Sequence, residues 1–375
     1  MISWTSSSAS RWLCTGLAAL AALVVTLAGC RAHRAAEAAV GAARAPFRIA
    51  LFPAENLTGI PVPIQTIERR IERMAAEAGL DVVTGDRLER FLARHRLRYT
   101  GGIDEEAAAA AHEELGVDGV LLSALEAYEE LPSPRLALTL RVVSASREAR
   151  ILWMDGTART GGDAPGLLGL GIIRRYDDLE ARELRRLGAS LALGLSRSGP
   201  AALPCPAERR FRPRIVYRSP DFDPGRRLSV AVLPLVNETS QRRAGDLVAL
   251  ELTRQFAAVE RLQVLEPGVV RDRLIRYRVI MQGGISVDAA RLVLDMLQAD
   301  LVVTGYVREF AEGADPRVNF TILALERGRG LVVWESTSHA AGSNGVWLFG
   351  LGQISTASAL TCRMAHDTVA QFLPE

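Results

Sequence analysis

Phe52-Pro53-Ala54-Glu55-Asn56-Leu57-Thr58 is matched further along the chain by Leu233-Pro234-Leu235-Val236-Asn237-Glu238-Thr239. Asn56 and Asn237 are 181 residues apart, and so are Trp153 and Trp334 in Ile151-Leu152-Trp153 and Val332-Val333-Trp334. Between these blocks, Thr100-Gly101-Gly102-Ile103 matches Gln282-Gly283-Gly284-Ile285, and Leu115-Gly116-Val117-Asp118-Gly119-Val120 matches Leu297-Gln298-Ala299-Asp300-Leu301-Val302. The blocks keep one order, so the chain is a duplication. Copies this long are tandem domains, whereas a solenoid would repeat every 20 to 50 residues or so.

Each copy reads the same way. Arg48 to Phe52 and Leu228 to Leu233 are short β-rich runs that end at Pro and an Asn-x-Thr turn. A helix follows, with Ile64, Ile67, Ile71 and Met74 on one stripe in the first copy and Val248, Leu252, Phe256 and Val259 in the second. Second strands are expected at Leu80 to Val83 and Leu262 to Leu265, and second helices at Arg87 to His95 and Val269 to Arg278. Asp104 and Ser286 then open a third helix as N-caps. Three strands follow, Gly119 to Leu125, Leu136 to Val143 and Ile151 to Thr157, repeated at Leu301 to Val307, Arg317 to Leu325 and Leu331 to Ser336. Helices near Ala181 to Leu195 and Ala357 to Phe372 close the copies. The order β-α-β-α-α-β-β-β-α predicts an α/β fold of two tandem mixed-sheet sandwich domains.

Upstream of the repeats, Leu27-Ala28-Gly29-Cys30 closes an apolar run from Trp12 to Leu27 behind Arg11. Basic end, apolar core and small residues make a secretory leader, and the cysteine directly after the small pair makes it resemble a bacterial lipoprotein signal. That resemblance implies diacylglycerol on Cys30, cleavage before it and acylation of the new amino end; several acyl chains anchor stably where one binds only marginally. The run is shorter than the ~20 residues a transmembrane helix needs. Arg31 follows the cysteine instead of an acid, which points to the outer membrane, periplasmic face. The organisation expected is leader 1–29, tether 30–45, first domain 46–195, a Pro/Arg-rich linker 196–226 and second domain 227–375.

The chain is 49% hydrophobic and 23% charged, with a formal net charge of +2, and every one of its Lys+Arg residues is arginine. A near-neutral, exported chain does not suit nucleic acid, which calls for a strongly basic face. After lipidation Cys205 and Cys362 remain; the first lies in the Pro-rich stretch and the second in a helical one, so Cys362 reads as a small buried core residue, with a Cys205–Cys362 disulfide in an oxidising periplasm as the alternative.

The strand ending in Pro-x-x-Asn-x-Thr, the Leu-Gly-Val-Asp or Gln-Ala-Asp step into a strand, and the meander whose last strand carries Trp together resemble the CsgG-like superfamily of periplasmic lipoproteins. That group includes the curli secretion lipoprotein and lipoprotein activators of penicillin-binding proteins. The resemblance spans 46–195 and 227–373 and implies non-catalytic domains that bind envelope proteins or assemble with copies of themselves.

Chemistry by residue type points the same way. None of His33, His95, His112, His339 and His366 recurs in the other copy, and no His-Glu-x-x-His, Cys-x-x-Cys or Gly-x-Ser-x-Gly is present. No catalytic residue, metal site or cofactor is expected beyond the lipid on Cys30. Asn56, Thr58, Asn237 and Thr239 read as turn formers that cap the following helix, with ligand contact as the alternative. Trp153 and Trp334 read as core aromatics. Gly166 to Ile172 and Trp347 to Gly352 set Leu167, Leu168, Leu170, Trp347, Leu348 and Phe349 among glycines; if solvated they form an apolar patch that marks an interface. The function expected is a lipoprotein that binds protein partners in envelope assembly, secretion or cell-wall synthesis. A subunit of an oligomeric secretion pore ranks below it, since the ~9–11-residue alternating strands of a membrane barrel are not seen, and a periplasmic enzyme ranks last.

Overall fold

The computed structural model describes residues 46–163, 170–196, 205, 211–279, 283–346 and 352–373. In the first copy the order is β1 (Arg48–Leu51), β2 (Glu55–Asn56), α1 (Ile64–Glu77), β3 (Asp81–Val83), α2 (Asp86–Arg94), α3 (Glu105–Ala110) with a π-helical turn at Ala111–Leu115, β4 (Gly119–Glu129), β5 (Arg135–Ser144), β6 (Ile151–Thr160) and α4 (Tyr176–Ser196). The second copy runs β7 (Arg214–Arg218), β8 (Leu228–Val232), β9 (Val236–Asn237), α5 (Ala244–Ala257), β10 (Leu262–Val264), α6 (Pro267–Arg276), α7 (Val287–Leu297), β11 (Leu301–Ala311), β12 (Arg317–Glu326), β13 (Leu331–Ala341) and α8 (Ala357–Phe372).

Each copy forms one mixed sheet. Strand order is β3-β1-β4-β5-β6 in sheet A and β10-β8-β11-β12-β13-β7 in sheet B, with β2 on β4 and β9 on β11. The buried strands β1 and β8 pair in parallel on both sides, and the meanders pair antiparallel. Asp104 and Ser286 do cap their helices, accepting from the backbone N–H of Ala107 at 2.8 Å and of Ala289 at 3.3 Å.

One face of sheet A packs α1 and α4 through Ile67, Ile71, Met74, Leu187 and Leu191 around Trp153. Burying each such side chain contributes about 2 kcal/mol. Trp153 Nε1 donates to Ser190 Oγ at 3.1 Å, and Trp334 stacks on Phe372 at 4.7 Å between ring centroids, so both tryptophans are core. Sheet B repeats the plan with α5 and α8 on one face and α6 and α7 on the other.

The copies are not beads on a string. α2 and α3 cover only part of the second face of sheet A, and the remainder, Ala124, Ala137, Met154 and Ala158, joins the core built around α5 and α8 of the second copy. Those two helices therefore lie between the sheets. Small side chains on sheet A permit that close approach.

In two places the structure departs from the leading sequence reading. Cys205 and Cys362 form a disulfide with a Cα–Cα distance of 5.7 Å across 157 residues of chain, a pairing of two positions that are remote in sequence and that neither local neighbourhood marks. Closing so long a loop removes unfolded-chain entropy worth about 5 kcal/mol in the loop-entropy model. The linker 196–226 is also not all linker: Arg214–Arg218 pairs antiparallel with β13 as an edge strand. The β-prone run Ile215-Val216-Tyr217 outweighs the prolines around it.

Candidate binding cleft between the two sheets

The duplicated Asn-x-Thr turns have one geometry. Asn56 Oδ1 accepts from Thr58 N at 3.0 Å and from Thr58 Oγ1 at 2.7 Å, and Asn56 Nδ2 donates to the Ile60 carbonyl at 2.7 Å. Asn237, Thr239 and Gln241 repeat this at 3.0, 2.8 and 2.7 Å. The side chains satisfy one another and the turn backbone. They do not cap the next helix: α1 and α5 begin at Pro63 and Arg243 with no side-chain cap.

These turns and the Gly-Gly pairs of both copies meet at an interdomain cleft of about 870 Å³, lined by Glu55, Leu57, Tyr99 and Gly101 from the first copy and by Leu235, Asn237, Arg242, Arg243, Asp246, Leu250, Arg271, Gly283 and Gly284 among others from the second. Glycine is required at one of these positions: at Gly284, with φ +99°, a Cβ would be driven into the Leu235 carbonyl, whereas at Gly101 it would meet only the movable Glu55 carboxylate and Tyr99 hydroxyl.

The charges of the cleft are partly paired. Arg243 meets Glu55 at 2.8 Å and Asp246 at 3.3 Å. Burial pushes the Glu55 carboxyl above its ordinary range against the pull of Arg243 and Arg141, and it raises Asp246 likewise. Burial also raises the Tyr99 phenol, with Glu55 adding to the effect. The Arg271 guanidinium lies 4.3 Å over the Tyr99 ring.

Behind the cleft, Arg141 and Glu266 form a fully buried bidentate pair, Nε to Oε2 and Nη2 to Oε1 both at 2.9 Å. Arg141 Nη2 also donates to the Gly101 carbonyl at 2.6 Å, while Glu266 Oε1 accepts from Ile103 N at 3.3 Å and Gly268 N at 3.2 Å. Both carboxylate oxygens and the Nε and Nη2 of the guanidinium are thus served, and such hydrogen bonds offset the desolvation cost of a buried ion pair. Arg273–Glu105 at 2.8 Å and Arg276–Glu106 at 3.0 Å also bridge the copies, but they are solvent-screened and contribute far less than the buried pair.

A second polar cluster fills the boundary near the disulfide. Arg254 of α5 reaches Glu251 at 2.8 Å, Asp155 at 3.5 Å and Cys362 Sγ at 2.7 Å, and Arg186 meets Asp155 at 3.2 Å. Glu126, held by Thr139 Oγ1 at 2.5 Å, is pushed up to about 7 by burial. Cys205, Glu251 and Cys362 bring ligand-type atoms within 4.8 Å of one another, but the sulfurs are bonded together and offer no thiolate.

Of the apolar candidates, Leu170 is 86% exposed, on the loop between β6 and α4, and Ile172 beside it is 42% exposed. Leu167, Leu168, Trp347, Leu348 and Phe349, like the lipidation candidate Cys30, lie outside the described residues. No described helix is long and apolar enough to cross a membrane.

Sequence reasoning missed Glu55, Tyr99, Arg141, Arg243, Glu266 and Arg271. One signal was available: Arg141 interrupts Leu136-Ala137-Leu138-Thr139-Leu140 and Val142-Val143 where the second copy, by strand register, has Leu323.

No family model matches the chain, and no curated protein matches it. Among solved structures it is similar to the PelC dodecamer from Paraburkholderia phytofirmans, at 16% identity and TM-score 0.30, over 44% of this chain and 98% of that one. Lipoprotein GNA1162 from Neisseria meningitidis is similar at 18% identity and TM-score 0.29, over 39% and 99%. The LpoB C-terminal domain from Salmonella enterica is similar at 16% and 0.26, over 32% and 86%. The fold assignment itself rests on the two sheets described above.

Proposed function

We propose that the chain is a non-catalytic lipoprotein, anchored through Cys30 in the outer membrane and facing the periplasm, whose paired α/β domains bind a protein partner in envelope assembly, secretion or cell-wall synthesis. The observation that carries this reading is the exposure of Leu170, at 86%, with Ile172 beside it at 42%, on a loop whose apolar, glycine-rich composition recurs in the second copy. Covering this leucine with a partner would remove apolar surface from water and contribute to binding. The lipoprotein-type leader and the CsgG-like order of motifs support the address, and the arginine–carboxylate pairing of the interdomain cleft favours binding over turnover.

In-envelope crosslinking of the wild-type chain, followed by mass spectrometry, is expected to recover one protein reproducibly. Leu170→Ser with Ile172→Ser is expected to cut that recovery at least fivefold while the thermal midpoint stays within about 2 °C, as for a surface change in a domain of this size. Undiminished recovery from the double variant would refute the docking role of the loop.

A further inference from the structure

The interdomain cleft holds an uncompensated positive charge beside an apolar wall. Its two acids, Glu55 and Asp246, are both engaged by Arg243. Arg242 and Arg271 have no carboxylate within 4.0 Å among the described residues, and Arg271 is half-buried. Glu55 and Asp246 act on Arg271 only at longer range, so an anion seated against this partly buried guanidinium gains a direct charge-assisted contact that no carboxylate of the chain supplies. Leu57, Leu235, Leu250, Val270 and Leu274 line the same cavity. Its volume, about 870 Å³, lies in the range of sites that enclose small molecules, roughly 300–1,000 Å³.

We infer that this cleft binds a single-chain anionic amphiphile, with a carboxylate or phosphate head on Arg271 and Arg242 and an apolar body against the leucines. A nucleotide fits less well, because the Tyr99 face that would stack a base already carries Arg271. The site does not rest on the partner-docking role of the Leu170 loop: it uses different residues on a different part of the molecule.

The test is photolabelling of the full-length chain in its native membrane with diazirine analogues of dodecyl phosphate and of dodecanoate, with peptide mapping by mass spectrometry. Label on the peptides containing Leu250 and Leu274, displaced by unlabelled amphiphile and not by the same concentration of inorganic phosphate, is the expected result. Whichever head group labels more strongly identifies the phosphate or the carboxylate source. Arg271→Gln should lower cleft labelling at least tenfold, Arg271→Lys should retain most of it, and Ala249→Trp, which fills the cavity, should abolish it. Should Arg271→Gln fail to fold, the Lys and Trp variants still decide the matter. Label confined to other surfaces, equal labelling by a dodecyltrimethylammonium analogue, or labelling indifferent to both Arg271→Gln and Ala249→Trp would overturn the assignment.

Discussion

α1 and α5 occupy the same place in the two copies and have opposite surroundings. α1 exposes Gln65, Arg69, Arg73, Ala76 and Glu77, whereas no residue of α5 is exposed. At the duplicated spacing, Glu68 and Arg69 of α1 stand where α5 has Ala249 and Leu250. The sheets differ in the complementary sense. By strand register, Ala124, Thr139, Arg141, Met154, Gly156 and Ala158 of sheet A correspond to Tyr306, Thr321, Leu323, Glu335, Thr337 and His339 of sheet B. The small Ala124, Gly156 and Ala158 of sheet A, with Met154, face the helices of the second copy, whereas Tyr306, Thr337, His339 and Glu335 make that face of sheet B bulkier and more polar. The contact is heterologous, of the kind that could in principle propagate, but neither outer end is built to continue it.

The largest expected effect comes from making the copies alike at their buried ion pair. Arg141→Leu installs the residue of the second copy and strands Glu266 without its counter-charge, and urea unfolding should show a loss of about 4 kcal/mol. Adding Glu266→Gln should return part of it; a single variant as stable as wild type would break the comparison.

Next is Glu126, whose carboxyl burial holds near 7, opposed by hydrogen bonds from Thr139 and Ser358 and by Arg254, with Glu251 adding to the rise. Between the ordinary carboxyl value and about 7 the folded chain keeps a proton that the unfolded chain releases, so stability falls as pH rises through that window. Glu126→Gln should therefore gain up to about 3 kcal/mol at pH 8 and nothing of this term at pH 4, read from unfolding midpoints at both. Equal effects at the two pH values would sink this account.

Smaller again is the exchange of outer-face residues. Ala158→His, which puts the residue of sheet B under α8, should cost about 2 kcal/mol by overpacking and burial of a polar ring, while His339→Ala on the exposed face should stay within about 0.5 kcal/mol. Arg69→Leu on α1 is the least perturbing, also within about 0.5 kcal/mol, and any sizeable loss there would show that α1 has a partner after all.

Much of each domain was legible because local physics governs it. The stripe of Ile67, Ile71 and Met74, the cap residues Asp104 and Ser286 and the alternating meanders act over a few residues, so the element order can be read from one copy and checked against the other. The cleft was not legible. Tyr99 and Arg271, or Arg141 and Glu266, are distant in sequence, and nothing local marks either partner of a pair that exists only once the domains dock. The disulfide ranked second for the same reason: each cysteine was judged by its own neighbourhood, while pairing depends on where two remote segments cross.

Sequence alone therefore determined the duplication, the α/β order of each half and the positions of the turns, since periodicity, capping and turn chemistry are short-range. Only the tertiary structure decided that α5 and α8 lie between two sheets, that Cys205 meets Cys362, and that arginines of the second copy line a cavity with Glu55 of the first. Those outcomes depend on the packing of whole faces, and a face is defined by strand register and helix burial across the chain.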